Sequence, residues 1–79
     1  MTDDQIDPYS DVPRYRQLAA ILRGRIERGE LRPGDRLPSQ VTLVQEFGVA
    51  RMTAGKALQS LVDEGLAVVV PGMGHYVKP

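Results

Sequence analysis

The side chains with the clearest chemistry are polar and cationic ones near the middle of the chain. Arg51 and Lys56 lie five positions apart and carry N–H donors and positive charge. A guanidinium donates two parallel hydrogen bonds to O6 and N7 of guanine, whereas a lysine ammonium is a point charge suited to phosphate. Arg51 is therefore a candidate for a base contact and Lys56 for a backbone contact, and the alternative for each is an ordinary solvated side chain on a helix surface.

A helix over residues 51–64 is predicted to position these side chains, because apolar residues recur there at helical spacing. The stripe comprises Ala54, Ala57, Leu58, Leu61 and Val62. Arg51, Met52 and Lys56 then fall on the opposite face, together with Gly55 and Gln59. Met52 is a candidate contact for a thymine methyl group. For Gln59 the sequence predicts no contact with DNA.

Two earlier helices and a terminal hairpin complete the predicted architecture. The helices cover residues 14–28, opened by Pro13, and residues 40–47, with Ser39 as N-cap and Gly48 at the end. Two short apolar runs within residues 66–78 flank a Pro-Gly turn and predict a β-hairpin. The fold class is therefore mainly α with a small β-hairpin (α+β).

The turn between the second and third helices, residues 48–50, is too short for the helices to lie side by side. Such helices cross at a steep angle, which is helix-turn-helix geometry. The third helix then projects from the body and fits the major groove of B-form DNA. Basic side chains of the first helix, Arg14 among them, are expected on phosphates.

The sequence resembles the winged-helix DNA-binding domain of the GntR regulators over residues 13–78. The motifs GELxPGDxLPS, GVxRxT and EGL carry the resemblance, because they occur together at the separations typical of that family. The resemblance implies a three-helix winged helix-turn-helix that acts in transcriptional regulation, as a repressor. It also implies that Arg51 and Thr53 contact DNA and that the wing tip, at Gly72, reaches the minor groove.

Three positions depart from the family pattern. Val41 and Gly55 stand where the family often places arginines, and Ala50 replaces a capping serine. A face with fewer basic side chains predicts weaker binding to DNA. It also predicts a shallower salt dependence, since each neutralised phosphate adds about 0.9 to the slope of log affinity against log salt. Gly55 either allows closer approach of the DNA backbone or marks a relaxed position. The alternative function is a winged-helix protein-interaction module with reduced DNA affinity.

Ser39 and Thr42 lie at the start of the second helix, where free N–H groups and the helix dipole favour a phosphate, although capping alone explains Ser39.

The charges are unevenly distributed along the chain. The formal net charge is zero, but residues 1–11 hold four acids and no base. Residues 12–79, the predicted domain, therefore carry ten bases and six acids. The segment 1–11 is interpreted as a disordered acidic leader.

The remaining composition excludes several classes of function. The chain has no cysteine, and His75 stands alone without metal-ligand companions, so no metal, cofactor or catalytic residue is expected. No export signal or membrane-spanning run is visible, which predicts a cytoplasmic location.

The expected partner is a palindromic operator bound by a homodimer. The family usually carries a C-terminal effector domain, so this chain is either a fragment or a standalone domain.

Overall fold

The computed structural model describes residues 5–79, which form three helices followed by one antiparallel hairpin. The elements are α1 (Arg14–Glu27), α2 (Gln40–Phe47), α3 (Arg51–Asp63), β1 (Ala67–Val70) and β2 (Gly74–Val77). This order confirms the predicted fold class. α1 and α3 end one residue earlier than the sequence interpretation, because Arg28 and Glu64 are the C-cap residues.

Local chemistry explains where α2 begins and ends. The hydroxyl of Ser39 accepts a hydrogen bond from the N–H of Thr42 at 3.2 Å, which satisfies one of the free donors of the first turn. Gly48 ends the helix with a φ of 67°, a left-handed conformation that glycine adopts without steric cost. α3 follows after only two residues, Val49 and Ala50, so the corner between α2 and α3 is tight.

A leucine-rich core holds the corner in place. Its largest fully buried side chains are Leu18, Leu22, Leu37, Leu43, Leu58 and Leu61. They come from all three helices and from the connector before α2, and each buried leucine contributes roughly 1.5–3 kcal/mol relative to an exposed one. The buried faces of α1 and α3 pack on each other, so the other face of α3 points outward.

The connector between α1 and α2 pairs with the wing. Leu37 donates its N–H to the carbonyl of His75 at 2.8 Å, and Val77 donates to the carbonyl of Asp35 at 2.8 Å. β2 is therefore flanked by β1 on one side, in a register that runs from Ala67↔Val77 to Val70↔Gly74, and by the connector on the other. This pairing places Arg36 beside the wing.

Residues 5–13, before α1, lie against that helix. Gln17 of α1 holds the segment, because its amide accepts from Asp7 N–H and donates to the carbonyls of Asp7 and Val12. Ile6 also packs against the core. The disordered acidic leader over residues 1–11 stays a prediction, and residues 1–4 of that segment lie outside the described part of the chain. Within residues 5–79, no helix combines the length and apolar character that a membrane crossing requires.

Candidate nucleic-acid interface

One face of α3 is exposed and polar. Ala54, Ala57 and Leu58 are buried in the core, whereas Arg51, Lys56 and Gln59 are exposed. Met52 is also exposed, with 75% of its surface accessible. A methionine at that level of exposure contributes little to the core, so its apolar tip remains available to a partner.

Arg51 lies where three elements of the fold meet. A shallow groove beside it is lined by Ser39, Gln40 and Val41 from the start of α2 and by Gly74 and His75 from the start of β2, next to the wing turn. Among residues 5–79, no carboxylate forms an ion pair with Arg51. The guanidinium is therefore charged, exposed and adjacent to both α2 and the wing.

The other residues predicted to bind DNA occupy different parts of the surface. Thr53 is half-buried in the first turn of α3, and no side chain caps that helix end, because the N-cap residue is Ala50. Gly72 is exposed in the turn of the wing with a φ of 78°. Arg14 is exposed as the first residue of α1. Contact of any of these residues with DNA stays a prediction.

At the start of α2 the two hydroxyl side chains bond to each other. The hydroxyls of Ser39 and Thr42 are 3.0 Å apart, and both side chains are exposed. Ser39 also caps the helix, so its hydroxyl has a structural role that is independent of any phosphate. A phosphate contact by this pair remains a prediction.

Lys56 lies against an aromatic ring rather than extending freely. Its ammonium nitrogen is 5.8 Å from the centroid of the Tyr15 ring on α1, which is within the range of a cation–π interaction. The ring restricts the lysine to one side of α3 while the side chain stays exposed. Lys56 and Arg51 both line a second groove along α3, whose other lining residues are not Ser39 or the wing but Gln40, Met52, Gly55 and Gln59.

Several arginines in and just after α1 form ion pairs within the protein. Arg23 pairs with Glu64 through Nη2 and Oε2 at 2.7 Å, and Arg25 pairs with Glu46 at 2.7 Å. Hydrogen bonds from Arg23 lower the pKa of Glu64, so this carboxylate stays charged at neutral pH. Arginines that already bind carboxylates are weaker candidates for phosphate contacts. Of the basic side chains of the first helix, Arg14 and Arg16, which are both exposed, therefore remain as candidates for these contacts.

The sequence interpretation missed two residues of this surface. The guanidinium of Arg36 lies over Gly74, because a Cβ placed on that glycine would be 3.4 Å from the Arg36 Nε atom. Gln40, the first residue of α2, lies against Gly55 of α3 and lines the groove that Arg51, Met52 and Lys56 also line. No sequence signal indicates these proximities, since each joins positions in different elements.

The surface contains no cluster of metal-binding character in the part of the chain that the structure describes. Residues 5–79 bring together no three histidine, aspartate or glutamate side chains that are able to share an ion. His75 lies in β2 and lines the same groove as Arg51. The chemistry available at this face is therefore hydrogen bonding, positive charge and a few exposed apolar groups.

Comparison with known families finds a match over most of the chain. The family model described as bacterial regulatory proteins, gntR family, matches residues 14–77. The mannosyl-D-glycerate transport/metabolism system repressor MngR of Escherichia coli is 48% identical over 66 residues, which are 84% of this chain and 28% of MngR. The transcriptional repressor NagR of Bacillus subtilis is 40% identical over 73 residues, which are 92% of this chain and 30% of NagR. The chain thus spans less than a third of the length of these relatives.

Solved structures share the fold as well as the sequence. YtrA from Sulfolobus acidocaldarius, a GntR-family transcription factor, superposes with a TM-score of 0.88 and 41% identity, covering 99% of this chain and 82% of that one. The DNA-binding domain of AraR in complex with the operator ORX1 gives a TM-score of 0.81 and 32% identity, covering 92% of this chain and 96% of that one. Both similarities extend over nearly the whole domain.

Proposed function

This chain belongs to the gntR family of bacterial regulatory proteins and is a DNA-binding domain of that family, and from this premise we propose how it reads an operator. α3 enters the major groove with Arg51 on a guanine and Lys56 on a phosphate, while the wing tip at Gly72 lies at the minor groove. Through this binding the protein represses transcription, as its relatives MngR and NagR are named to do. Membership in a family of regulatory proteins confirms the prediction that the chain is not an enzyme.

One observation carries the proposal. The exposed start of α3, the start of α2 and the turn end of the wing strand β2 meet at a single face, with the unpaired Arg51 at the junction. A face with this arrangement presents a helix to the major groove and a hairpin beside it, which is the geometry that B-form DNA accommodates. Arg36 adds a second exposed cation between α2 and the wing.

The neighbouring residues complete the proposed contacts. Met52 touches a thymine methyl group, and Thr53 donates its hydroxyl to a phosphate or base near the uncapped start of α3. Ser39 and Thr42 meet a phosphate at the start of α2, and Arg14 meets one at the start of α1. These contacts are mostly to the backbone, so they set the register of α3 rather than its sequence preference.

We further propose that two copies bind a palindromic operator, with half-sites spaced by a turn of the duplex or a multiple of it. A single domain of this size makes few phosphate contacts and binds one half-site weakly. Linking two copies raises the affinity for such an operator through effective concentration. A cytoplasmic location is part of this proposal, since a bacterial regulator binds its operator in the cytoplasm.

The proposal is tested with the 79-residue domain and duplexes selected from a random library, by fluorescence anisotropy. Arg51→Ala is expected to weaken binding by about tenfold or more, because a bidentate guanine contact is worth about 1–3 kcal/mol. Arg28→Ala is the matched control, since it removes the same charge from a residue that pairs with Glu30 instead. Equal affinities of the Arg51 and Arg28 variants would overturn the assigned role of Arg51.

Salt dependence separates DNA binding from the alternative of a protein-interaction module. That alternative is favoured by the exposed apolar Val41 and Met52 on the same face. Affinity for duplex is expected to fall linearly with salt on a log-log scale, because cations of the domain displace condensed counterions. Affinity that is insensitive to salt would support an apolar partner instead.

A further inference from the structure

The side chain of Gln40 occupies the space that a side chain at position 55 would fill. A Cβ built on Gly55 would lie 3.0 Å from the amide nitrogen of Gln40 and 3.5 Å from its Cδ atom. The first value is closer than most real Cβ atoms approach a neighbour, so the amide would have to move by a few tenths of an ångström if residue 55 carried a side chain. The interior of α3 thus tolerates a poor helix former where it receives a side chain from α2.

The amide group of Gln40 has no hydrogen-bond partner among residues 5–79, although the residue is half-buried. It lines the same groove as Arg51, Met52 and Lys56, on the face assigned to the major groove. A primary amide offers two donors and one acceptor with two lone pairs. If these donors and this acceptor lose their water and form no other hydrogen bonds, the loss costs free energy. A ligand that covers this groove must therefore supply complementary hydrogen-bonding groups.

We propose that Gln40 is a specificity-determining residue that reads an adenine in the major groove, beside the base read by Arg51. Its Nε2 donates to adenine N7, and its Oε1 accepts from the adenine N6 amino group, the pairing that glutamine geometry matches. Gly55 is the positioning residue, because its missing side chain lets the amide lie over α3. This inference rests on the proposed function and adds to it the identity of a second base.

A base contact explains the arrangement better than a phosphate contact does. Phosphates are met most strongly by cations, and the groove already contains Arg51 and Lys56. A neutral amide that is held over a helix in the major groove gains most from a partner with one donor and one acceptor side by side. Adenine presents that pair at its major-groove edge.

The experiment measures base preference at every operator position, using single-base substitutions of the best duplex selected by the wild-type domain. Wild type is expected to prefer adenine at one position of each half-site by about tenfold. Gln40→Ala is expected to abolish that preference and leave the guanine preference set by Arg51. Because the amide is neutral, the salt slope is expected to stay unchanged. Gln40→Glu is expected to shift the preference toward cytosine, whose N4 amino group donates to a carboxylate.

A pair of glycine variants tests the positioning role. Gly55→Ala is expected to weaken the adenine preference, because the new Cβ requires the amide of Gln40 to move by a few tenths of an ångström. Gly24→Ala is the matched control, since its Cβ would also meet a flexible side-chain end at 3.0 Å, that of Arg28 on α1. It is expected to leave base preference unchanged. Circular dichroism confirms that each variant is folded.

The contrary results are distinct. A uniform loss of affinity for all duplexes in Gln40→Ala would identify a phosphate contact and overturn the base assignment. An unchanged adenine preference in the same variant would overturn any role for Gln40. Retained preference in Gly55→Ala would overturn the positioning role alone. A wild-type domain that binds no duplex at low salt would contradict the proposed function, and the inference with it.

Discussion

Arg23 of α1 and Glu64 at the C-cap of α3 form a two-contact ion pair, with Nε to Oε1 at 2.8 Å and Nη2 to Oε2 at 2.7 Å. The pair joins the two helices at the end of α3 that lies opposite Arg51. Its side chains are 35% and 36% exposed, so water screens it substantially. The ion pair therefore adds little to the total stability of the domain.

The contribution of that ion pair to the free energy of unfolding is testable by a double-mutant cycle. Arg23→Ala, Glu64→Ala and the double variant are expected to give a coupling free energy of about 0.2–1 kcal/mol in urea unfolding, as for exposed pairs. Affinity for duplex is expected to stay within twofold of wild type. A tenfold loss of affinity in Arg23→Ala would instead place Arg23 on DNA.

The same pair gives a defined pH dependence. Hydrogen bonding to Arg23 lowers the pKa of Glu64 in the folded state. A carboxylate with a lowered folded pKa stabilises the fold above its unfolded pKa, and this contribution is lost as pH falls through the folded value. The melting temperature of Glu64→Gln is thus expected to lie below that of wild type at neutral pH and to converge with it in acid. A difference that grows toward low pH would contradict this account.

Helix capping offers a reciprocal test, because two N-cap residues share one backbone conformation. Ser39 has φ −72° and ψ 167° and caps α2, whereas Ala50 has φ −66° and ψ 153° and leaves α3 uncapped. Ala50→Ser is expected to stabilise the domain by about 1 kcal/mol, and Ser39→Ala to destabilise it by a similar amount. Each change corresponds to about 4–8 °C in melting temperature for a domain of this length. A destabilising Ala50→Ser would show that the serine hydroxyl does not reach the first turn.

Features set by neighbouring residues could be predicted from the sequence. Pro13, Ser39 and Gly48 each act on the backbone within a few positions, so they indicated where α1 and α2 begin and where α2 ends. The apolar stripe of α3 likewise predicted its buried side, because helical spacing alone decides which residues share a face. The exposed position of Arg51 followed from that spacing.

Features set by distant residues could not be predicted in this way. Arg23 and Glu64 are 41 positions apart, and nothing in their spacing distinguishes this pair from other opposite charges. The pairing of the connector with β2, which places Arg36 beside Gly74, depends on the closed core. The contact between Gln40 and Gly55 depends on the crossing of α2 and α3. Such contacts require the packed structure.

Lys56 and Tyr15 provide a test of how the reading face is supported. Lys56→Ala is expected to lower the salt slope by about 0.9, because one phosphate contact is lost. Tyr15→Leu is expected to reduce affinity by only a few-fold with the slope unchanged, since the lysine keeps its charge but loses the ring beside it. An unchanged slope in Lys56→Ala would remove Lys56 from the phosphate contacts.

The wing can be tested by placing a negative charge at its tip. Met73 is 56% exposed in the turn, so Met73→Glu is expected to preserve the fold and weaken duplex binding by repelling phosphates. Ala20→Glu on the exposed side of α1 is the matched control for added charge. The expected difference between the two variants shrinks at high salt. Equal affinities at low salt would place the wing away from DNA.

The most direct test of the whole account is an NMR titration of the ¹⁵N-labelled domain with its selected duplex at low salt. Amide shifts are expected to change at the start of α2, along the exposed face of α3 around Arg51, and in the wing turn around Gly72. The amides of Arg23 and Glu64 on the far side are expected to stay nearly unchanged. Large shifts confined to that far side, or no shifts at an excess of duplex, would contradict the assignment of α3 as the reading helix.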